Sequence, residues 1–409
     1  MYYERHIEQV IARIAKRKPV IVMTGARQVG KTTVLKKHYA GLEYVTMTDP
    51  LVWEASLRSP SAFFSVNKPP LIVDEIQRAG ALLDYVKLFA DETESAGLFF
   101  LTGSQSFTLM KNVSDSLAGR AGIIKLLGLS LREINRIKER APFVPTLGFL
   151  NKMNKLVPSF DYGTMVERIH KGSFPELYKT PTDVNDWRDF YSSYFQTYIE
   201  RDIRDLLKVQ DEAALIRFVR AVAALSGEML NYRTLAEACG KDVKTCKSWL
   251  SVLESSGLVY LLEPYYNNAL KRMVKTPKLY FLDTGFGCWL SGWNTPEQLV
   301  NGARWGHVFE TYVIGEVLKS YSHDGIINPP LFYYRDSDKQ EIDLVIEDAG
   351  TLYPVEIKTT SDPVESMAKQ FRLLYGLPGK QIGSGAVVCM AKNLLPLNDN
   401  VWITPANCL

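Results

Sequence analysis

The sequence predicts an α/β fold in which a parallel sheet flanked by helices is followed by smaller helical and α/β units. An apolar run at residues 19–24 leads through a glycine-rich turn into a helix, and two later apolar runs, at residues 71–75 and 97–104, end in polar side chains. Strands that alternate with helices in this way are typical of parallel sheets. The 409 residues are too many for one ordinary core. This length predicts two to four domains, and the patterns along the chain divide it into units at residues 1–127, 128–207, 208–264 and 265–409.

The composition is that of a globular protein with little excess charge. The net charge of +3 means that any surface for nucleic acid must be a local patch. No apolar run approaches the roughly 18 residues of a membrane span, and residues 1–5 lack a signal-peptide pattern. Five cysteines without C-x-x-C spacing predict buried free thiols and no zinc or disulfide framework. We expect a cytoplasmic protein without a membrane partner.

Residues 25–32 read G-A-R-Q-V-G-K-T and fit the pattern G-x-x-x-x-G-K-[ST] at every fixed position. In this P-loop motif, glycines allow backbone N–H groups to surround phosphate oxygens at a helix N-terminus. Lys31 would reach the outer phosphates, and the Thr32 hydroxyl would hold Mg²⁺. The predicted nucleotide-binding residues are Gly25, Ala26, Arg27, Gln28, Val29, Gly30, Lys31, Thr32 and Thr33.

The apolar run L-I-V-D-E at residues 71–75 ends in two carboxylates. After a complete P-loop, this pattern is typical of a Walker B strand. A buried strand would bring Asp74 to the magnesium shell, and Glu75 would orient and deprotonate the attacking water. The alternative is a solvated strand end.

Two further positions are predicted at the nucleotide. The run at residues 97–104 ends in Thr102 and Ser104, and Ser104 is the candidate for sensing the γ-phosphate or the attacking water. An ordinary polar turn is the alternative. Arg120 would stabilise transition-state charge, either on this chain's nucleotide or on that of a neighbouring copy in a homo-oligomer. A surface salt bridge is the alternative for Arg120.

The segments GARQVGKTT, LIVDEIQ, LTGSQ and SLAGRA together resemble a prokaryotic group of predicted AAA-type ATPases. These proteins couple that module to a C-terminal domain without an assigned function, and the resemblance continues to about residue 360. It implies ATP binding and hydrolysis with Mg²⁺. One departure is visible, because the family usually reads Pro-Leu-Ser where this chain has Gly128, Leu129 and Ser130. That change does not touch the nucleotide chemistry.

The middle of the chain, residues 128–207, is predicted to be mostly helical and to form a lid. Aromatic side chains recur at near-helical spacing over residues 187–207, as is typical of a helix that packs into a core. Arg201, Asp202 and Arg204 either face solvent or form part of a lid over the nucleotide. The sequence does not distinguish these two arrangements.

Residues 208–264 read as three helices followed by a strand, which resembles a winged helix-turn-helix. Asn231 would cap the second helix, and Gly240 would end it. The third helix would present basic and hydroxyl side chains to phosphates and base edges, so DNA is an expected partner. A structural or protein-binding role is the alternative. The candidate contacts are Lys241, Lys244, Thr245, Lys247 and Ser248.

Four charged residues of the C-terminal unit resemble the PD-(D/E)xK nuclease pattern. Glu310 lies near the start of a predicted helix, Asp343 lies on one predicted strand, and Glu356 and Lys358 lie on the next. Because alternate side chains of a strand share a face, Glu356 and Lys358 should meet Asp343. The carboxylates would hold one or two Mg²⁺ ions against a scissile phosphate, and Lys358 would orient or activate water. The alternatives are an ordinary ion pair and an inactive nuclease-like fold.

The expected architecture is therefore α/β, with a P-loop NTPase sheet, a helical lid, a winged helix-turn-helix and a nuclease-like C-terminal domain. The favoured function is a Mg²⁺-dependent ATPase that acts on DNA. A nucleotide-dependent switch that binds a protein or DNA partner and cleaves nothing is the competing hypothesis. The catalytic candidates are Lys31, Glu75 and Lys358, and the metal-ligand candidates are Thr32, Asp74, Glu310, Asp343 and Glu356.

Overall fold

The computed structural model describes residues 1–103, 116–266 and 276–409, with all side chains in these ranges except those at positions 201 and 205. Within these ranges, no helix combines the length and the apolar character that crossing a membrane requires. Ser104, the predicted γ-phosphate sensor, lies outside the described residues.

The N-terminal unit contains a five-stranded parallel sheet, as the sequence predicts. Its strands are β1 (Val20–Thr24), β2 (Glu43–Thr46), β3 (Leu71–Asp74), β4 (Phe99–Thr102) and β5 (Ala121–Lys125), in the spatial order β2-β3-β4-β1-β5. β1, β3 and β4 are buried along their whole length, which explains their unbroken apolar sequences. Because β1 and β3 both run parallel to β4, the residues that follow them lie at the same edge of the sheet.

Helices connect and cover these strands. Asp49 and Ser59 accept hydrogen bonds from backbone N–H groups in the first turns of the two helices after β2, each of which begins with proline. The helices are α1 (Ile7–Ala15), α2 (Lys31–His38), α3 (Pro50–Arg58), α4 (Pro60–Val66) and α5 (Leu82–Glu92), with a 3₁₀ turn at Ile76–Ala79.

The middle of the chain is mostly helical, as predicted. Its helices are α6 (Leu131–Ile134), α7 (Leu147–Leu156), α8 (Tyr162–Lys171), α9 (Val184–Tyr194) and α10 (Arg204–Leu207), with a 3₁₀ turn at Pro175–Tyr178. Between α9 and α10 the chain forms a π-helix, Phe195–Ile203, which the sequence did not indicate. Tyr194 and Tyr198 are buried here, in agreement with the core position predicted for them.

Residues 212–281 contain three helices and a small antiparallel sheet. The helices are α11 (Glu212–Ala224), α12 (Tyr232–Cys239) and α13 (Val243–Ser255), and the strands are β6 (Glu228–Met229), β7 (Val259–Leu262) and β8 (Lys278–Phe281), in the order β6-β8-β7. Asn231 caps α12 through its side chain, and Gly240, with φ of 68°, ends it, as predicted. β8 lies in the range assigned to the C-terminal unit, yet it pairs with β6 and β7.

The C-terminal unit is a mixed sheet packed against a long helix. Its strands are β9 (Leu331–Arg335), β10 (Glu341–Asp348), β11 (Thr351–Lys358), β12 (Gln381–Ile382), β13 (Gly385–Cys389), β14 (Leu395–Asn398) and β15 (Val401–Pro405). They lie in the order β14-β15-β13-β11-β10-β9, with β12 paired to β11. The helices are α14 (Thr284–Leu290), α15 (Pro296–Asn301) and α16 (Trp305–Ser322), and 3₁₀ turns occupy Glu365–Leu374 and Ala406–Cys408. α16 contacts both β8 and β11, so it joins the two sheets.

Asp283, between β8 and α14, connects the helical middle to the later part of the chain. Its buried carboxylate accepts hydrogen bonds at 2.7 Å from the backbone N–H and the hydroxyl of Ser173, and from the Tyr191 hydroxyl. The backbone N–H of Phe286 donates a further bond at 2.7 Å. A Cβ at Gly172 would lie 2.3 Å from the Tyr191 hydroxyl and 2.7 Å from the carboxylate. Glycine is therefore required beside this junction.

Replacing Asp283 with alanine is expected to lower the free energy of unfolding by about 2–4 kcal/mol, because several buried donors lose their acceptor. Urea unfolding followed by tryptophan fluorescence measures the change. Glu167→Ala alters an exposed acid of α8 and serves as the control, with an expected change below about 0.5 kcal/mol. Equal stability of the two variants would contradict the role assigned to Asp283.

Candidate functional site

The P-loop lies between β1 and α2, and its shape depends on two glycines. Gly25 has φ of 142° and Gly30 has φ of 97°, which side chains other than glycine rarely adopt. A Cβ on Gly25 would lie 2.1 Å from the carbonyl oxygen of Leu126. The loop is therefore packed closely against the segment after β5, and it leads directly into the N-terminus of α2.

Lys31, the first residue of α2, is buried against this loop. Its ammonium group donates hydrogen bonds to the carbonyl oxygens of Gly25, at 2.9 Å, and Ala26, at 2.8 Å. Burial lowers the pKa of Lys31 to about 8, although Glu75 and Asp74 oppose this shift. Phosphate oxygens are stronger acceptors than neutral carbonyls, so they can replace these partners.

Asp74 ends β3, and three hydroxyl groups donate to its carboxylate. Thr32 Oγ1 lies 2.9 Å from Oδ1, and the Tyr44 hydroxyl lies 2.9 Å from Oδ2. Thr102, at the end of β4, donates as well. Burial and the Asp74 charge raise the pKa of Tyr44 to about 12. Because Mg²⁺ prefers oxygen ligands, Thr32 and Asp74 fit the predicted magnesium site.

A cavity of about 290 Å³ opens beside these residues. Lys31, Thr32 and Glu75 line it together with residues 1–3. Glu75 has φ of 55° and accepts a hydrogen bond from the side-chain amide of Gln77. The predicted water-activating carboxylate therefore faces the same space as the predicted phosphate-binding groups. Another cavity, of about 440 Å³ between α11, α14 and α16, contains no residue with predicted chemistry, so its larger size does not make it the functional site.

Arg5 is a buried arginine that connects the P-loop to the segment after β5. Its guanidinium donates to the carbonyl oxygens of Val29, at 2.9 Å, and Leu127, at 2.8 Å. It also pairs with Glu133 at 3.1 Å. Burial alone would raise the pKa of Glu133, but Arg5 and His323 hold it well below its usual range. No local pattern indicates this pair, because its members lie far apart in the chain.

The predicted C-terminal acids lie where α16 meets β8, β10 and β11. Glu310, on α16, accepts hydrogen bonds from Lys278 Nζ and the Tyr280 hydroxyl, each at 2.7 Å. Lys278 also pairs with Glu341 at 2.6 Å. Burial opposes the charge of Lys278, but the surrounding carboxylates, first Glu310, raise its pKa. Burial, together with the charge of Asp343, raises the pKa of Glu310.

Asp343, Glu356 and Lys358 meet as the strand alternation predicts. Lys358 Nζ lies 2.6 Å from Glu356 Oε1 and 3.7 Å from Asp343 Oδ2. The backbone N–H of Ile357 donates to Asp343 Oδ2 at 2.8 Å. Burial, followed by Asp343, raises the pKa of Glu356 to about 8 against the opposing effect of Lys358. Glu356 Oε2 is buried and has no hydrogen-bond partner among the described residues.

The acidic cluster consists of Glu310, Glu341, Asp343 and Glu356, and two lysines lie between its carboxylates. Lys278 and Lys358 each pair with two acids. In the part of the chain that the structure describes, no three His, Cys, Asp or Glu side chains are arranged to hold a metal ion. Glu310, Asp343 and Glu356 interact electrostatically but do not converge on one point as a metal triad. The unpartnered Glu356 Oε2 is nevertheless a ligand of the type that a divalent cation takes.

The surface predicted to contact DNA is partly available. Lys241 forms an ion pair with Asp211 at 2.7 Å. The Thr245 hydroxyl donates to Asp242 at the start of α13. The remaining predicted contacts are exposed, namely Lys244, Lys247 and Ser248.

Comparison with known families divides the chain into three parts. Residues 17–135 match the family model of the AAA domain. This match supports the predicted AAA-type P-loop ATPase. Residues 163–297 match "Domain of unknown function (DUF8612)", and residues 305–409 match "Domain of unknown function (DUF4143)". These two matches assign no function, so the winged-helix and nuclease-like interpretations stay predictions.

Two mycobacterial proteins are similar to almost the whole chain. They are the uncharacterized protein Mb2031c of Mycobacterium bovis and the uncharacterized protein Rv2008c of Mycobacterium tuberculosis, each 26% identical over 401 residues that make up 97% of this chain and 82% of that protein.

Among solved structures, the Walker-type ATPase paby2304 of Pyrococcus abyssi has a TM-score of 0.41 at 14% identity, with 71% of this chain and 96% of that chain covered. The RuvB Holliday junction branch migration motor of Thermotoga maritima has a TM-score of 0.29 at 15% identity, with 62% and 88% covered. TM-scores this low carry no argument about fold or function.

In the part of the chain that matches the AAA domain model, Arg120 lies at the edge of the sheet opposite to the P-loop. It directly precedes β5, whose first residue pairs with Val20, the first residue of β1. Its guanidinium pairs with Asp91 on α5 at 2.9 Å. The full length of β1, about 13 Å, separates Arg120 from the P-loop. This position does not favour a contact with this chain's own nucleotide, and the pair with Asp91 corresponds to the salt bridge given as the alternative. A contact with the nucleotide of a neighbouring copy stays a prediction.

Several side chains of these sites were not identified from the sequence. Glu341 could have been found, because it lies two residues before Asp343 on the same strand and therefore shares its face. Tyr44 contacts Asp74, and Lys278 contacts Glu310, only because the folded chain brings distant segments together. No sequence spacing therefore predicts these two contacts.

Replacing Glu356 with glutamine is expected to weaken the dependence of stability on pH. Because folding raises the pKa of Glu356 from 4.5 to about 8, the protein loses stability as the pH rises through this window and the buried carboxyl group ionises. Glutamine keeps the shape without ionising. The variant should lie within about 1 kcal/mol of the parent near pH 5 and exceed its free energy of unfolding by about 4 kcal/mol near pH 9.

Urea unfolding at the two pH values, with a chelator present, measures this difference. Glu237→Gln changes an exposed acid of α12 and should leave the parent's pH dependence as it is. A Glu356→Gln protein that loses stability with rising pH as steeply as the parent would show that Glu356 is not the ionising group.

Proposed function

We propose that the AAA domain binds ATP with Mg²⁺ and hydrolyses it. The observation that carries this proposal is the contact between Thr32 Oγ1 and Asp74 Oδ1, which lie 2.9 Å apart beside the cavity that Lys31 and Glu75 line. Magnesium bound at this pair would offset the negative charge of the phosphate oxygens.

Each side chain of this site has a distinct part in the proposed reaction. Lys31 donates hydrogen bonds to the outer phosphate oxygens in place of the loop carbonyls. Glu75 orients a water molecule and accepts its proton as the water oxygen attacks the γ-phosphorus. The bond between the γ-phosphorus and the bridging oxygen breaks, and ADP and inorganic phosphate are released.

Replacing Lys31 with alanine is expected to lower kcat/KM for ATP by at least about 100-fold, because the phosphates lose a buried positive charge. A phosphate-release assay measures the rate. Lys37→Ala removes an exposed lysine from the same helix and should leave it unchanged. Turnover retained in Lys31→Ala would refute the assignment of the site.

We further propose that residues 212–281 form a winged helix-turn-helix that binds DNA. Three helices and a three-stranded antiparallel sheet occur in the order that this fold has. Lys244, Lys247 and Ser248 are exposed on α13, where phosphate oxygens could approach them. Because the net charge of the chain is only +3, this local patch would have to supply most of the attraction.

The C-terminal unit is the candidate for acting on the bound DNA. Asp343 and Glu356 lie on neighbouring strands and Lys358 contacts both carboxylates, which supports the proposal that these three side chains form one site. With Glu310, these acids would hold a divalent cation, and Lys358 would orient the attacking water.

One observation favours the second candidate function, a nucleotide-dependent switch that binds its partner without cleavage. Lys278 and Lys358 already compensate much of the negative charge of the acidic cluster. A cation would have to displace these ammonium groups, or enter beside the unpartnered oxygen of Glu356.

A cleavage assay on supercoiled and linear DNA, with Mg²⁺ or Mn²⁺ and with or without ATP, separates the two functions. If the site is a nuclease, Lys358→Ala should cleave at least about 100-fold more slowly, because the water loses its orienting group. Lys31→Ala, run in parallel, reports whether ATP controls the cut.

Lys369→Ala, which changes an exposed lysine of the same unit, is the matched control. Loss of cleavage in Lys358→Ala but not in this control would identify the nuclease site. Absence of cleavage in every condition, with ATP hydrolysis intact, would instead support the binding switch.

A further inference from the structure

An ion pair joins the P-loop to the π-helix of the helical middle. Arg27 Nε lies 2.6 Å from Asp202 Oδ2. The Asp202 side chain is only 8% exposed, whereas that of Arg27 is 35% exposed and lines the nucleotide cavity. Arg27 therefore reaches both the cavity and the helical segment, and it can contact a ligand without leaving the loop.

The helical segment that holds Asp202 has an unusual geometry. The nine residues Phe195–Ile203 are π-helical, between the α-helices α9 and α10. Such stretches are rare and occur frequently at functional sites. Tyr198 and Ile199 are buried here, so one face of the segment is fixed in the core while Asp202 faces the P-loop.

We propose that the Arg27–Asp202 pair is a nucleotide-responsive latch, a role that rests on the proposed ATP site. The guanidinium group of arginine binds phosphate oxygens in the same bidentate manner as carboxylates. ATP in the cavity brings a chain of phosphates with more negative charge than one carboxylate. It therefore competes with Asp202 for Arg27.

Loss of Arg27 destabilises the arrangement in which Asp202 is buried. A buried carboxylate that loses the charge of one cationic partner is held less strongly, so the segment around it becomes easier to displace. The segment continues directly into α10, where Arg204 pairs with Glu212 of α11 at 3.2 Å. α11 is the first helix of the three-helix unit, and the latch therefore gives ATP a route to the proposed DNA-binding surface.

Hydrogen exchange of the full-length protein tests the latch. Exchange of backbone amides in residues 195–207 is measured by mass spectrometry without nucleotide, with Mg²⁺–ADP and with Mg²⁺ plus a non-hydrolysable ATP analogue. The analogue should accelerate exchange in this segment by roughly fivefold, and ADP, which lacks the γ-phosphate, should accelerate it less.

Asp202→Asn removes the charge and keeps the shape of the side chain. In this variant, exchange in residues 195–207 should no longer respond to nucleotide, and the ATP analogue should bind about two- to fivefold more tightly because the charge of Asp202 no longer competes for Arg27. Asp189→Asn, at an exposed acid of α9, should behave as the parent. A fluorescent nucleotide measures the affinities.

The outcomes separate the latch from the ATP site itself. No nucleotide binding by the parent would overturn both. Tight binding without any change of exchange in residues 195–207 would overturn the latch and leave the ATP site intact. An Asp202→Asn protein with the parent's affinity and the parent's response to nucleotide would also overturn it. The measurements on the parent decide the question even if the variant does not fold.

Discussion

The buried ion pair between Arg5 and Glu133 is the interaction on which the nucleotide site depends. Both side chains are almost fully removed from water. The Arg5 guanidinium binds the P-loop carbonyl of Val29, and Glu133 accepts a hydrogen bond from the His6 N–H at 2.8 Å. Because Arg5 has Glu133 as its buried counter-charge, and Glu133 without Arg5 would keep only His323 as an ion-pair partner among the described residues, the pair favours one arrangement of these segments. The conformation of the P-loop is therefore set outside its own eight residues.

The same region determines where the C-terminal unit lies. Near the end of α16, Lys319 donates to the carbonyl of Leu129 at 3.0 Å, and Ser322 donates to that of Lys125 at 2.9 Å. The other half of this helix carries Glu310 of the acidic cluster. Its 18 residues span about 27 Å. One continuous helix, α16, thus contacts both candidate sites. A shift of the segment after β5 would therefore change the position of this helix.

The sequence could predict features that neighbouring residues encode, and it could not predict those that packing creates. The P-loop occupies eight consecutive residues, and Glu356 and Lys358 are two apart on one strand, so both patterns are visible locally. β2 is short and partly exposed, so no apolar run indicates it or the contact of Tyr44 with Asp74. The π-helix was missed because over two turns its apolar spacing differs little from that of an α-helix.

The two acidic sites differ in the partners of their carboxylates, and this difference bears on their chemistry. Asp74 is surrounded by the neutral hydroxyl groups of Thr32, Tyr44 and Thr102, which orient the carboxylate without cancelling its charge. The C-terminal acids are paired with ammonium groups, as Glu356 is with Lys358. A cation can join the first site while every hydroxyl rotates to a new acceptor. At the second site a cation meets the repulsion of lysines that are already in place, whether it displaces them or binds beside Glu356 Oε2, so binding there is less favourable than at the first site.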